Sequence, residues 1–204
     1  RILRIPTFYK DSIRKQYEAI GAADRCVAVS NQVASSYQVP ADIIPIGINP
    51  ELFRPLGNKA ELRQKYNIPE GEVAIFVGSS HPVKGFDQLY SEIIADPNRT
   101  YILVLKDEPG QFETPKNVRL FFRVNQEVLC ELYNCADRYV GRSIVETLWL
   151  APLEALFCNL PIDVTPVGIF NEWQPENKNP RQEALQAGLD QATMIRSWLK
   201  LLTL

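Results

Sequence analysis

The sequence predicts an α/β fold, a doubly wound sheet of parallel strands, and three observations carry that prediction. From Val73 onward, short apolar runs alternate with helical patterns, the rhythm of parallel strands joined by crossover helices. The chain has 204 residues, 46% of them hydrophobic and 23% charged, which suits one full core in a globular protein. The stretch Gly141 to Pro161 reads as the end of a buried strand, a loop and a helix. Pro152 fits the first helical turn, where its missing N–H costs nothing, and Asn159 followed by Pro161 stops the helix.

The elements follow in order. A helix is predicted from Tyr9 to Ile20, a strand from Cys26 to Ser30, a short helix reaching Tyr37 and an apolar run from Ile43 to Ile48. Strands are expected at Val73 to Val77, Tyr101 to Leu105, Val118 to Phe122, Arg138 to Val140 and Pro161 to Val164. Phe86, Leu89, Tyr90, Ile93 and Ile94 recur at helical spacing, as do Val128, Leu129, Leu132 and Tyr133, so two helices can cover the sheet. Residues 174–182 are polar and rich in Pro and Asn, and read as a loop. Ala184 to Leu202 offers Leu185, Leu189, Met194, Trp198 and Leu202 as a packing face, broken near Gly188. In such a sheet ligands bind outside the carboxyl ends of the strands. The loops after Val77, near Lys106, around Arg123 and at Glu146 should therefore open on one edge.

Composition excludes several functions. A net charge of -2 lacks the basic footprint of a nucleic-acid binder, so any phosphate binding must be local. No apolar run reaches the roughly 18 residues of a membrane span, because Glu146 and Glu154 interrupt the longest candidate. Peripheral membrane contact is left open. Cys26, Cys130, Cys135 and Cys158 form no C-x-x-C pair, and His81 is the one histidine, so a metal site is not expected. The cysteines read as reduced, mostly buried thiols of a cytoplasmic protein.

Glu146 falls in the loop before the predicted helix and Glu154 within it. Backbone N–H groups of a first helical turn attract phosphate, while carboxylates accept bonds from sugar hydroxyls. A phosphorylated, polyhydroxylated ligand fits that arrangement. Two solvated surface glutamates would show the same spacing, and spacing alone favours that plainer reading.

Four segments in order resolve the ambiguity. Glu146 to Ile162, E-T-L-W-L-A-P-L-E-A-L-F-C-N-L-P-I, resembles the E-x7-E signature "EGFGLPxLEAMACGxPV" of the retaining glycosyltransferases of glycosyltransferase family 4. Val77 to Gly85, V-G-S-S-H-P-V-K-G, is similar to that family's "vGRxxxxKG" loop. Ala23 to Ser30 resembles "ADxVIAVS", and Ile43 to Pro55 resembles "vIPnGVDxxxFxP". The resemblance covers almost the whole chain. It implies the Rossmann-like carboxy-terminal, donor-binding domain of a GT-B fold, and transfer of a sugar from a nucleoside diphosphate sugar to an unknown acceptor with retention.

The resemblance implies a division into residues 1–55, closing elements of the amino-terminal domain plus a linker; 56–182, the nucleotide-sugar-binding domain; and 183–204, terminal helices. The rest of the amino-terminal domain would precede Arg1, and with no initial methionine the chain is expected to be a fragment, inactive in transfer by itself. Donor-binding residues carried over are Gly78, Ser79, Lys84, Arg123, Glu146, Thr147, Leu148, Glu154 and Gly168, with Glu146 and Lys84 as the catalytic pair. Lys84 would neutralise the leaving diphosphate, Glu146 would hold donor-sugar hydroxyls, and Glu154 would accept bonds from the ribose. No cofactor or metal is implied beyond the donor substrate itself.

Departures from the pattern motivate a second reading. Ser79 replaces the usual arginine, Thr147-Leu148-Trp149 replaces Gly-Phe-Gly, and Arg123 stands where glycine is usual. Bulky side chains at 147–149 are expected where backbone normally approaches the diphosphate. Arg123 could restore the missing charge or obstruct the base pocket. A non-catalytic nucleotide-sugar-binding or partner-binding module on the same scaffold is therefore the alternative. A nucleotide-sugar epimerase of similar architecture lacks its extra acid/base residues.

Overall fold

The computed structural model describes residues 17–37, 39–106 and 113–203. Its centre is a five-stranded, all-parallel sheet in the order β5-β4-β3-β6-β7. The strands are β3 (Val73–Gly78), β4 (Thr100–Leu105), β5 (Val118–Phe122), β6 (Arg138–Gly141) and β7 (Ile162–Val164). All five predicted strands are present. The chain runs outward from β3 to β5, then returns to the other side of β3 for β6 and β7. That reversal leaves a crevice at the carboxyl ends of β3 and β6, the place where doubly wound sheets take ligands.

Register makes the crevice edge level. Gly78 lies opposite Leu105, Leu105 opposite Phe122, and Gly141 opposite Val164. Alternate residues point to opposite faces. Ala74 and Phe76 with Tyr101, Leu103 and Leu105 meet Phe86, Leu89 and Ile93 of helix α3 (Phe86–Ala95). Ile75, Ile102 and Val104 face the other way, onto Leu132 and Tyr133 of helix α4 (Gln126–Cys135) and Leu153 and Leu156 of helix α5 (Leu150–Phe157). Residues buried on both faces explain why β3 and β4 read as continuous apolar runs.

Earlier residues form a smaller unit. The predicted helix from Tyr9 falls largely outside the described residues, and positions 17–21 are helical. β1 (Cys26–Ala28) pairs in parallel with β2 (Ala41–Ile43) across α1 (Asn31–Ser35), whose first turn is capped by the Ser30 hydroxyl accepting from Val33 N. Helix α2 (Lys59–Lys65) then packs against α4 and leads into β3.

Three expectations need correction. Ile94 is 54% exposed, because the sheet-facing stripe of α3 is completed by Phe86, Leu89 and Ile93. The terminal segment is two helices, α6 (Pro180–Gln186) and α7 (Gln191–Leu202), so the loop ends at Asn179 rather than 182. Gly188, at φ +71°, separates them where the sequence predicts a break, and of the expected packing face Leu189 is buried while Leu185 and Leu202 are exposed.

Candidate functional site

A cleft of about 640 Å³ opens at the carboxyl edge, walled by the loops after β3, β4, β5 and β6 and by the start of α5. Gly78, Ser79, Lys84, Arg123, Glu146, Thr147, Leu148 and Glu154 all line it, with Lys106 beside them. Gly168 does not. It lies behind the Glu146 loop at φ +62°, where a Cβ would stand 3.1 Å from the Glu146 Cβ, and its N–H donates to the Gln32 side chain at 3.1 Å.

The β3 and β6 loops are fitted to one another through backbone. Pro82–Lys84 form a 3₁₀ turn opened by His81, whose Nδ1 accepts from Val83 N, and closed by Gly85 at φ +64°. A Cβ at Gly85 would sit 1.7 Å from the Arg142 carbonyl oxygen, so the close approach of these loops requires glycine. Val83 O accepts from Ile144 N at 2.9 Å, with the Ser143 hydroxyl oxygen 3.2 Å away. Arg142 braces the base of the β6 loop with ion pairs to Glu92 at 2.8 Å and Asp163 at 2.9 Å.

This framework delivers Lys84 to Glu146. Lys84 Nζ lies 2.7 Å from Glu146 Oε1, and Ser143 Oγ donates to the same oxygen at 2.8 Å. The Glu146 side chain is 10% exposed. With both donors on Oε1, the carboxylate keeps acceptor capacity on Oε2 for a ligand.

Glu154 is held differently. The Tyr133 hydroxyl lies 2.9 Å from Glu154 Oε2 and 3.0 Å from Ala151 O. Burial pushes the Glu154 carboxyl up to about 7, and the Tyr133 hydrogen bond acts in the opposite direction.

Two of the departures at 147–149 are packed into the core. Leu148 and Trp149 are 2% and 7% exposed, and the Trp149 ring packs edge-on against Tyr139 and Phe170. Trp149 takes φ +74°, which turns its side chain inward just before α5 begins. Thr147 stays exposed, and all three residues line the cleft as the sequence predicts. Arg123 keeps a left-handed backbone, φ +46°, the conformation a glycine adopts without strain, and its Nε donates to Lys106 O at 3.2 Å.

Sequence reasoning missed Tyr133, Ser143 and the brace from residues 30–32. Ser143 carried a signal, standing three residues before Glu146. Ser30 donates to Thr147 O at 2.7 Å, while Glu172 accepts from Asn31 Nδ2 at 2.5 Å and Gln32 N at 2.9 Å. These bonds tie residues 30–32 to the β6 loop and to Glu172 and have no short-range pattern. All four cysteines are buried and free, and no group of three or more His, Cys, Asp or Glu converges among the described residues. Nor is any described helix long and apolar enough to cross a membrane.

Comparison with known proteins agrees with this architecture. The chain is 24% identical over 214 residues to a D-inositol 3-phosphate glycosyltransferase of Segniliparus rotundus, covering 83% of this chain and 47% of that protein. It is 29% identical over 180 residues to D-inositol 3-phosphate glycosyltransferase 2 of Catenulispora acidiphila, covering 74% of this chain and 42% of that protein. The chain therefore spans about half the length of these curated relatives. Among solved structures, Anabaena HepE in complex with UDP-glucose superposes with a TM-score of 0.80 at 16% identity, covering 96% of this chain and 68% of that one. Sucrose-phosphate synthase from Thermosynechococcus elongatus gives 0.80 at 18% identity, covering 96% and 61%. These likenesses show a shared fold. Residues 58–193 match the profile of glycosyl transferases group 1, and the chain belongs to that family.

Proposed function

We propose that this chain is the donor-binding half of a retaining glycosyltransferase of the family 4 type, which takes a nucleoside diphosphate sugar. The observation that carries the reading is the convergence of Lys84, Glu146 and Glu154 on one cleft at the switch point of the sheet. Lys84 supplies the charge that opposes the departing diphosphate, which is electrostatic stabilisation of a transition state. Glu146 holds sugar hydroxyls near the reacting carbon, and Glu154 accepts from the ribose. Arg123 and Lys106 extend the positive wall on the β4 and β5 side, where Ser79 leaves a cation out. The UDP-glucose held by HepE supports a nucleotide sugar as the ligand.

Acceptor binding and exclusion of water need a facing domain, so transfer is assigned to the longer protein and donor binding to this part of it. Loss of that domain forfeits proximity effects of up to roughly 7–11 kcal/mol. Purified chain should bind nucleotide sugars and release no nucleoside diphosphate in a transfer assay.

Titration calorimetry with UDP, GDP, ADP and inorganic pyrophosphate tests the reading. Lys84→Ala should weaken the nucleotides and pyrophosphate alike by about tenfold to a hundredfold, a charge-assisted bond of roughly 1.5–3 kcal/mol. Glu154→Ala should weaken only the nucleotides. Equal losses in Glu154→Ala for pyrophosphate and nucleotides would remove the ribose role, and unchanged affinity in Lys84→Ala would move the phosphates elsewhere.

One observation favours the alternative of a binding module without catalysis. With Ser79 in place of arginine and Lys84 engaged by Glu146, the β3 loop offers little uncompensated positive charge. Binding that persists while the longer protein shows no turnover would select that reading.

A further inference from the structure

We propose that Tyr133 is a positioning residue for Glu154, and that seating a ribose in the cleft drives a proton off the Tyr133–Glu154 pair. The inference rests on the donor-site reading above and extends it to a residue that no sequence motif marks. Its basis is a count of protons. Tyr133 is fully buried, and its hydroxyl oxygen lies within hydrogen-bond distance of both Glu154 Oε2 and Ala151 O. A hydroxyl has one proton to donate. With Glu154 ionised, that proton goes to the carboxylate and the contact with Ala151 O goes unmatched. With Glu154 protonated, the acid donates to the Tyr133 oxygen, Tyr133 donates to Ala151 O, and both contacts are satisfied.

The surroundings favour the protonated form when no ligand is bound. The ionisable groups that act on Glu154 are Tyr133 from α4, Tyr139 from β6 and Cys158 just beyond α5, and none of them is a cation. Lys106, Arg123 and Glu146 line the same cleft. Lys84, across the cleft, is paired with Glu146, and Arg181 acts on Cys158 from the far end of α5. Burial of Glu154 is therefore offset by a neutral hydroxyl rather than by opposite charge.

A ribose diol changes the balance because it brings O–H donors. A carboxylate accepts at both oxygens, whereas the neutral acid spends one oxygen as a donor. Binding thus selects the ionised form: the O–H bond of the Glu154 acid breaks, its electron pair stays on oxygen, and the proton leaves to solvent. No oxidant, reductant or metal enters the balance. The Tyr133 bond holds the carboxyl down against the upward push of burial, and in either state it fixes the direction in which Oε2 points, which is what makes Tyr133 a positioning group.

Calorimetry with UDP-glucose, run at one pH in buffers of different ionisation enthalpy, reads the number of protons released. Both phosphates of that probe are esterified, so neither carries the second phosphate ionisation near 6. At pH 7 the release should be about half a proton per site, rising towards one at about pH 6 and falling towards zero by about pH 8.5. Affinity should fall as pH drops below about 7, approaching tenfold per pH unit. Glu154→Gln should bind more weakly, with no proton release and a flat pH profile. Tyr133→Phe removes the bond that holds the carboxyl down, so the midpoint of release should move up in pH and affinity lost at pH 7 should return at higher pH. If Tyr133→Phe does not fold, wild type and Glu154→Gln still decide the proton linkage. UDP-glucose binding without proton release between about pH 6 and 8, or release unchanged in Glu154→Gln, overturns the inference and leaves the donor site standing. No binding of UDP-glucose or of any nucleoside diphosphate overturns the donor-site reading, and this inference with it.

Discussion

The two halves of the cleft solve the same problem with opposite chemistry. Glu146 sits on a loop and receives a full cation from Lys84 and a hydroxyl from Ser143. Glu154 sits in a helix, receives a neutral hydroxyl from Tyr133, and is pushed by burial to about 7. Residue type is therefore a poor guide to charge at this site; the element that carries the side chain and the partner it meets decide it. The loop half depends on backbone fit between two loops. The helix half depends on what the core places beneath it.

The comparison breaks most severely at Gly85. Gly85→Ala puts a Cβ into the Arg142 carbonyl at a left-handed backbone position, so the β3 and β6 loops must part. The loss should be on the order of 3 kcal/mol or more, combining backbone strain with overpacking, measured by urea unfolding. It should abolish the Lys84–Glu146 pair while leaving Glu154 in place. A mild loss with intact nucleotide binding would show that the loops need no such close contact.

Somewhat smaller is the pH effect at Glu154. Its folded value near 7 lies above the ordinary 4.5, so the fold carries no penalty from this group below about pH 4.5 and the full penalty above about pH 7. Stability should decline between those values as pH rises. Glu154→Gln should remove that decline and leave the protein more stable than wild type at about pH 8, by at most about 3 kcal/mol. Parallel stability curves for the two proteins would mean that Glu154 is ionised throughout.

Smallest is Ser143→Ala, which deletes one buried donor to Glu146 and leaves Lys84 in place. A cost of about 1–2 kcal/mol is expected, with the pH dependence unchanged because the Glu154 half is untouched. A shift in the pH profile would show that the halves are coupled.

Much of the fold was legible because it rests on local pattern. Runs such as Val73 to Val77 and Tyr101 to Leu105 are apolar on both faces, a signal that a buried parallel strand cannot avoid. Pro152 and the Asn159 stop marked α5. The order of the loops along the carboxyl edge followed from the strand order, so the cleft residues were named without coordinates. Gly168 stands outside the cleft lining: a glycine at positive φ signals a turn or a close approach equally, and here it is the approach of Glu146 and Leu148. Tyr133 could not be read as part of the site, since helical spacing explains it fully as core. Likewise Trp149 replaces a glycine of the pattern and looks obstructive in sequence, yet its ring fills space between Tyr139 and Phe170. Ser30 and Gln32 act on residues 147 and 168, at separations where sequence carries no pattern.

A crystal structure of this chain soaked with UDP-glucose, and with ADP-glucose to vary the base, tests the central claim most directly. The account predicts the diphosphate beside Lys84 and the ribose hydroxyls within hydrogen-bond distance of Glu154, with the sugar towards Glu146. Nucleotide density at another surface, such as the depression between Trp173 and α6, with the carboxyl-edge cleft unchanged, would contradict it.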